Sequence, residues 1–171
     1  MNDFKKYPKN IKNDLKILKK LKVNFVYKPN KKQVYNSKNK IKIRLNKKDK
    51  ILCAKYRKGH FEGVIDVMIR LTELIKPSKI FMGEKDFQQL FLVKKYIENN
   101  FDSKIVACKT IRDKNRLALS SRNLLLNQKN LFKAGKITRE LISFKKKISK
   151  SKFTKRLILK KKNELEKLHK I

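Results

Sequence analysis

Between Arg57 and Cys108 the hydrophobic period of this chain changes three times, and the first two changes fall on Pro77 and Gly83. Val64, Val67, Met68, Leu71, Leu74 and Ile75 recur at helical spacing and stop before Pro77, which cannot continue a helix. Gly59 permits a tight turn just ahead of that face. The run Ile80-Phe81-Met82, flanked by Lys79 and Gly83, then predicts a strand buried in a parallel sheet. Phe87, Leu90, Phe91 and Ile97 mark another helix, and Ile105-Val106-Ala107-Cys108 another strand. Helix, strand, helix, strand with short connections is the pattern of a βαβ unit, whose crossover is right-handed in nearly every known case. The class predicted is α/β.

The flanks are less regular. Ile11, Leu15, Leu18 and Leu21 recur at spacings of three and four, giving one apolar stripe on a lysine-covered helix between Pro8 and Leu21. Val23 to Tyr27 reads as a strand, and Ile41 to Leu45 as an edge strand. Beyond Leu126 no strand pattern occurs and lysine runs dominate, which predicts two basic helices. With 171 residues, 40% of them hydrophobic, the chain can bury one core and carry a helical appendage, but not two large domains.

Charge narrows the function classes. Against 14 acidic residues stand 49 Lys and Arg, a formal net charge of +35, so any polyanion is attracted without stereochemical fit. A basic nucleic-acid-binding module is therefore one reading. Lysine far outnumbers arginine and is accompanied by much Asn and Ile, the composition of a low-GC genome, and lysine lacks the planar fork suited to bidentate phosphate or guanine contacts. Most of this charge is expected to be solvated surface. Cys53 and Cys108 are far apart in sequence with no ligand-spaced partners, so neither a disulfide framework nor a zinc site is suggested. No stretch approaches the roughly 20 apolar residues of a membrane span, and a soluble, cytoplasmic protein is expected.

Three stretches could carry chemistry. Gly83-Glu84-Lys85-Asp86-Phe87-Gln88-Gln89 follows a strand and opens a helix, where backbone N–H groups and the positive helix end face the carboxyl edge of the sheet. The same acidic residues would also be favoured at an ordinary helix start. Leu117-Ala118-Leu119-Ser120-Ser121-Arg122-Asn123 sets two hydroxyls beside a guanidinium, which suits phosphate oxygens but equally suits a helix N-cap. Arg57-Lys58-Gly59-His60-Phe61-Glu62-Gly63 holds a lone histidine, a residue more often structural than catalytic in such a setting. A Ser/His/Asp set, a Gly-rich phosphate loop and a metal cluster are all lacking from the pattern.

Taken together, GHFEGV, FMGEKDFQQL and LALSSRN, in this order and spacing, closely resemble the signatures of the pantothenate synthetase family, the ATP-dependent ligases that join pantoate to β-alanine. Tyr7-Pro8, Asp14 and Val26-Tyr27-Lys28-Pro29 extend the resemblance upstream. It implies a Rossmann-like nucleotide domain, similar to that of class I aminoacyl-tRNA synthetases, at 1–122, and a basic helical part of a C-terminal domain at 123–171. It also implies the reaction: pantoate carboxylate attacks the α-phosphate of ATP to give pantoyl adenylate and pyrophosphate, and the β-alanine amine then displaces AMP.

By the same resemblance, Gly83, Glu84, Lys85 and Asp86 contact ATP, with Lys85 stabilising charge on the phosphates, and Gln89 holds pantoate. Leu119, Ser120, Ser121 and Arg122 form a mobile phosphate-binding loop, with Lys85, Ser120, Ser121 and Arg122 the catalytic set. Ile111 passes its backbone near the adenine. Mg²⁺ accompanies ATP, and a homodimer is the expected assembly. The family's PTMGxLHxGH and Asn-Pro-x-Gln-Phe motifs are not found, and Met1 to Pro8 already aligns beyond them. The chain is therefore expected to be the middle of such an enzyme, an incomplete sheet without its N-terminal strands. Local departures are Lys58 where the family usually has Pro, Asp66 where it often has Thr, and Asn115-Arg116 where Asp-Gly is usual.

Overall fold

The structure is a computed structural model, and it describes residues 10–35, 43–149 and 154–169. The chain divides into two compact units, Lys12–Thr110 and one built on the chain from Ile111 onward.

Helix α1, Ile11–Lys20, belongs to the first unit from Lys12 onward. It ends in a Schellman turn, with Lys22 at φ +54° in the position glycine usually fills, Val23 N–H donating to Leu18 O at 3.1 Å and Lys22 N–H to Lys19 O at 3.0 Å. The predicted apolar stripe exists but stays largely uncovered, since Ile11, Leu15 and Leu21 are all exposed. Val23–Tyr27, expected as a strand, is irregular, and Phe25 is 92% exposed. β-branched and aromatic residues favour a strand only where a neighbouring ladder accepts their backbone groups, and no partner strand lies beside them among the described residues. One turn of helix, α2, Lys31–Val34, is closed by a capping box between Asn30 and Gln33. The expected edge strand at 41–45 falls partly outside the described residues; 43–45 are not a strand, and Leu45 is buried instead.

A short helix α3, Cys53–Tyr56, precedes α4, His60–Ile75. Gly59 sits at φ +75°, the left-handed conformation that lets α3 turn into α4. The buried face of α4 is Phe61, Ile65 and Thr72, one step round from the face predicted, and Leu74 and Ile75 are exposed. Positions 61, 65 and 72 fall on one line because four and seven residues complete whole turns, and that line packs on the helix that follows β1.

Strand β1, Lys79–Gly83, pairs in parallel with β2, Lys104–Cys108, in the register Ile80 to Ile105 and Met82 to Ala107. Helix α5, Phe87–Asn100, crosses between them. Leu90, Val93 and Ile97 of α5 join Ile105 in a core flanked by Val64, Met68, Ile80 and Met82, while Leu92 faces a second cluster of Leu45, Ala54, Phe61 and Ile65. β1 was expected to be buried on both faces. It is covered on one only: Ile80 and Met82 are half-buried and Phe81 is 67% exposed. Helices α4 and α5 cover a single face of this two-stranded sheet, and Phe81 points to the other.

The second unit starts with a tight reversal. Arg112 and Ala118 form an antiparallel bridge, Leu119 N–H donates to Ile111 O at 3.0 Å, and Arg116 takes φ +69°. Helices α6, Gln128–Ile148, and α7, Lys155–His169, follow as the two basic helices expected. Asn127 caps α6 by accepting from Asn130 N–H. The reversal rests on α6 at Gly135, where an added Cβ would lie 2.9 Å from Asn115 Cβ, and Arg139 donates to Asn115 O at 3.2 Å. Among the described residues, no helix is long and apolar enough to cross a membrane.

Candidate functional site

Gly83 ends β1 and the chain makes a single 3-10 turn, Glu84–Asp86, before α5 begins at Phe87. Strand and helix thus meet at the carboxyl edge of the sheet, where the first N–H groups of α5 have no intrahelical partner. Asp86 stands at the N-cap with φ −95° and ψ +58° and makes no side-chain capping bond. With no side-chain cap, the backbone N–H groups of this turn and helix start face the carboxyl edge, the arrangement that suits an anion. Glu84, Lys85 and Asp86 are exposed, and Gly83 adds no side chain to the approach.

The adjacent glutamines have different surroundings. Gln88 Nε2 donates to Ile51 O at 2.7 Å and Asp49 O at 3.3 Å, and its Oε1 accepts from Ala54 N–H at 3.4 Å. Gln89 is half-buried one position further along the helix, about 100° round from Gln88.

His60 begins α4, which runs toward β1 and ends three residues before it, so its start lies at the same carboxyl edge as the start of α5. The imidazole packs against Phe61 with ring centroids 4.9 Å apart. Burial, and then the neighbouring Arg57 guanidinium, hold its pKa below the usual histidine value.

In the second unit, Ser120 caps the 3-10 turn Ser121–Leu125, its Oγ accepting from Arg122 N–H at 3.3 Å. The helix-cap reading of this stretch is therefore realised by Ser120, while Ser121 and Arg122 follow in the turn itself. Asn123 Nδ2 fastens the turn to Ala118 O at 3.0 Å. Ile111 and Leu119 are brought side by side by their backbone bond, both with exposed side chains. So Gly83, Glu84, Lys85, Asp86 and Gln89 cluster in the first unit, and Ile111, Leu119, Ser120, Ser121 and Arg122 in the second.

Sequence reasoning passed over two features. Asp49, buried, pairs with Lys95 at 2.7 Å, and Gln88 grips the segment before α3. Both link residues about 40 apart in sequence, for which no short motif exists.

The family model of pantoate-beta-alanine ligase matches residues 1–170. The chain belongs to the pantoate-beta-alanine ligase family. It is 36% identical over 138 residues to the pantothenate synthetase of Francisella tularensis subsp. novicida, covering 80% of this chain and 53% of that one. It is 31% identical over 144 residues to the pantothenate synthetase of Fervidobacterium nodosum, covering 84% and 51%. The crystal structure of pantothenate synthetase from Thermus thermophilus superposes with a TM-score of 0.85 at 27% identity over 97% of this chain and 60% of that one. That of pantoate-beta-alanine ligase from Francisella tularensis, complexed with beta-gamma ATP and beta-alanine, gives 0.74 at 35% identity over 81% and 54%. The architecture of this chain is accordingly part of the Rossmann-like fold of the family. The chain spans about half the length of the curated relatives it matches.

Proposed function

We propose that this chain carries the ATP- and pantoate-facing part of a pantoate–β-alanine ligase, which forms pantoyl adenylate and releases pyrophosphate before the β-alanine amine displaces AMP. The observation that carries the proposal is the start of α5: a helix leaving β1 directly, without a side-chain cap, with Lys85 exposed in the turn before it. Uncapped N–H groups and a cation gathered at the carboxyl edge fit a phosphate chain. Family membership and the ATP complex of the Francisella tularensis relative support the same ligand.

In this reading Gly83 keeps the approach open, Glu84 and Asp86 border the nucleotide, and Lys85 neutralises charge developing on the phosphates. Gln89 holds pantoate. Ser121 and Arg122 donate to phosphate oxygens from the turn capped by Ser120, and Ile111 and Leu119 line the adenine side. Adenylation gains from such preset donors because they need no reorganisation as charge develops. Mg²⁺ belongs to the proposal as the counter-ion of the phosphates. Glu84 and Asp86 are two carboxylates at the turn, and no group of three or more metal-binding side chains occurs among the described residues.

Further parts of the proposal are the division into a nucleotide part at 1–122 and a helical part at 123–171, a homodimer, and a cytoplasmic setting, with which two free exposed cysteines agree. Non-specific adhesion to polyanions follows from the charge of +35. The test is equilibrium binding of ATP to the full chain and to Lys85→Ala. Loss of one phosphate contact to a charged donor should weaken binding by about tenfold. Equal affinity would remove Lys85 from the site.

A further inference from the structure

Gln88 stands beside the proposed pantoate ligand yet is wholly engaged with backbone 34 to 39 residues earlier in the chain. Its three hydrogen bonds, to Asp49 O, Ile51 O and Ala54 N–H, straddle Leu52. Leu52 takes φ +49° and ψ −128°, a conformation that residues with a β-carbon rarely adopt. Strain of this kind persists only where the surroundings over-determine it. One carboxamide bonding both sides of the strained residue is such a surrounding. The Leu52 side chain does not supply one, since it is 64% exposed and lines an open cavity with Ile51, Phe87 and Phe91.

The held segment leads straight to the third sequence motif. Leu52 is the residue from which α3 starts; Arg57 N–H closes α3 on Cys53 O at 2.9 Å, and His60 N–H closes the next turn on Arg57 O at 3.1 Å. The Gln88 side chain in the first turn of α5 therefore holds a short stretch of chain that reaches the first residue of α4 through successive hydrogen-bonded turns, Lys55 N–H to Leu52 O at 3.2 Å, Arg57 to Cys53 and His60 to Arg57. Since α4 and α5 both begin at the carboxyl edge of the sheet, this stretch joins the two helix starts that border the proposed site.

We propose that Gln88 is a positioning residue, which holds Leu52 in its strained turn and so sets the placement of Arg57 and His60 at the carboxyl edge, beside the α5 start where adenylation is proposed. The mechanical part stands on the hydrogen bonds alone; the link to adenylation rests on the function proposed above.

The chain holds two histidines, so proton NMR of the imidazoles follows His60 separately from His169. Gln88→Leu keeps the bulk and removes all three bonds. With Arg57 displaced and the ring freed, the His60 titration should move up toward the usual histidine value. Tyr96→Phe is the control, because it cuts a bond from the same helix to the same segment, Tyr96 Oη to Arg44 O at 2.9 Å, without touching the turns that lead to His60. It should leave the titration in place. If Gln88→Leu does not fold, Gln88→Met serves: it also removes all three bonds without adding a charge, and should give a shift in the same direction. An unchanged His60 titration in the folded variant overturns the proposal.

The second readout is pantoate-dependent pyrophosphate exchange. Gln88→Leu should lower kcat by roughly tenfold or more while KM for ATP stays within about twofold, as expected of misplaced groups at an otherwise intact nucleotide site. A shifted His60 with unaltered kcat would overturn the link to adenylation. A wild-type chain without exchange would count against the proposed function instead, leaving the His60 titration to decide the role of Gln88.

Discussion

Lys95 Nζ lies 2.7 Å from Asp49 Oδ2, and that carboxylate is one of few charged groups buried among the described residues. The pair ties α5 to the irregular segment that Gln88 also grips, and a carboxylate left there without its partner keeps its desolvation cost. Lys95→Met should lower unfolding free energy by about 1–2 kcal/mol, discounted because the ammonium is partly exposed. Lys94→Met, which removes a 4.0 Å pair with Glu98 on a more exposed lysine, should cost less than about 0.5 kcal/mol. Urea titration of the two variants compares them; equal losses would show that burial of Asp49 does not set the cost.

Two glycines separate conformational from steric need. Gly59 has open space around a would-be Cβ but φ +75°, so Gly59→Ala should cost about 1–2 kcal/mol through backbone strain alone. Gly135 lies within α6 and needs no special φ, but a Cβ would come within 2.9 Å of Asn115 Cβ and 3.1 Å of its carbonyl oxygen. Alanine gains roughly 1 kcal/mol of helix propensity there, which should be outweighed by displacement of the reversal at 112–118. Faster amide exchange at Leu117 in Gly135→Ala, and not in Gly59→Ala, is the expected result. Unchanged exchange in both would mean the reversal does not depend on that close approach.

Acid should loosen the two basic helices in a particular way. His169 Nε2 lies 3.2 Å from Glu140 Oε1 and Lys161 Nζ 3.4 Å from Oε2, with Leu165 buried nearby. Partial burial pushes the Glu140 carboxyl up, but hydrogen bonds from His169 and Lys161 and the charge of both outweigh it and hold the pKa below the usual carboxylate range. A lowered folded-state pKa means the stabilisation is present above the ordinary Glu value and is lost as pH falls through the folded one. Wild type should therefore exceed Glu140→Gln in stability above the ordinary Glu range, and the difference should shrink as pH falls through the lowered folded-state pKa. A difference that persists into acid would contradict this account.

The legible part of the fold was the part set by local period. α4, β1, α5 and β2 each appear where spacing put them, because the alternation of period 3.6 with short apolar runs is a property of adjacent residues. Val23–Tyr27 was misread because strand formation depends on a neighbour that the segment itself cannot specify. Phe81 was misplaced for the same reason: an apolar run does not tell whether one face or both will be covered. In the site, Gly83–Asp86 and Ser120–Arg122 stood out as motifs at element boundaries. Gln88 did not, because beside Gln89 it is chemically identical, and only the packing of a distant segment distinguishes the two.

Pantoate-dependent exchange of labelled pyrophosphate into ATP by the purified chain tests the central claim most directly, because it isolates adenylation from the later amide step. The account predicts exchange above background that Lys85→Ala reduces by about a hundredfold or more, the scale of removing one preset charge-stabilising donor. Exchange that is the same in wild type and Lys85→Ala, or absent from the wild-type chain under conditions where it binds ATP, would contradict it.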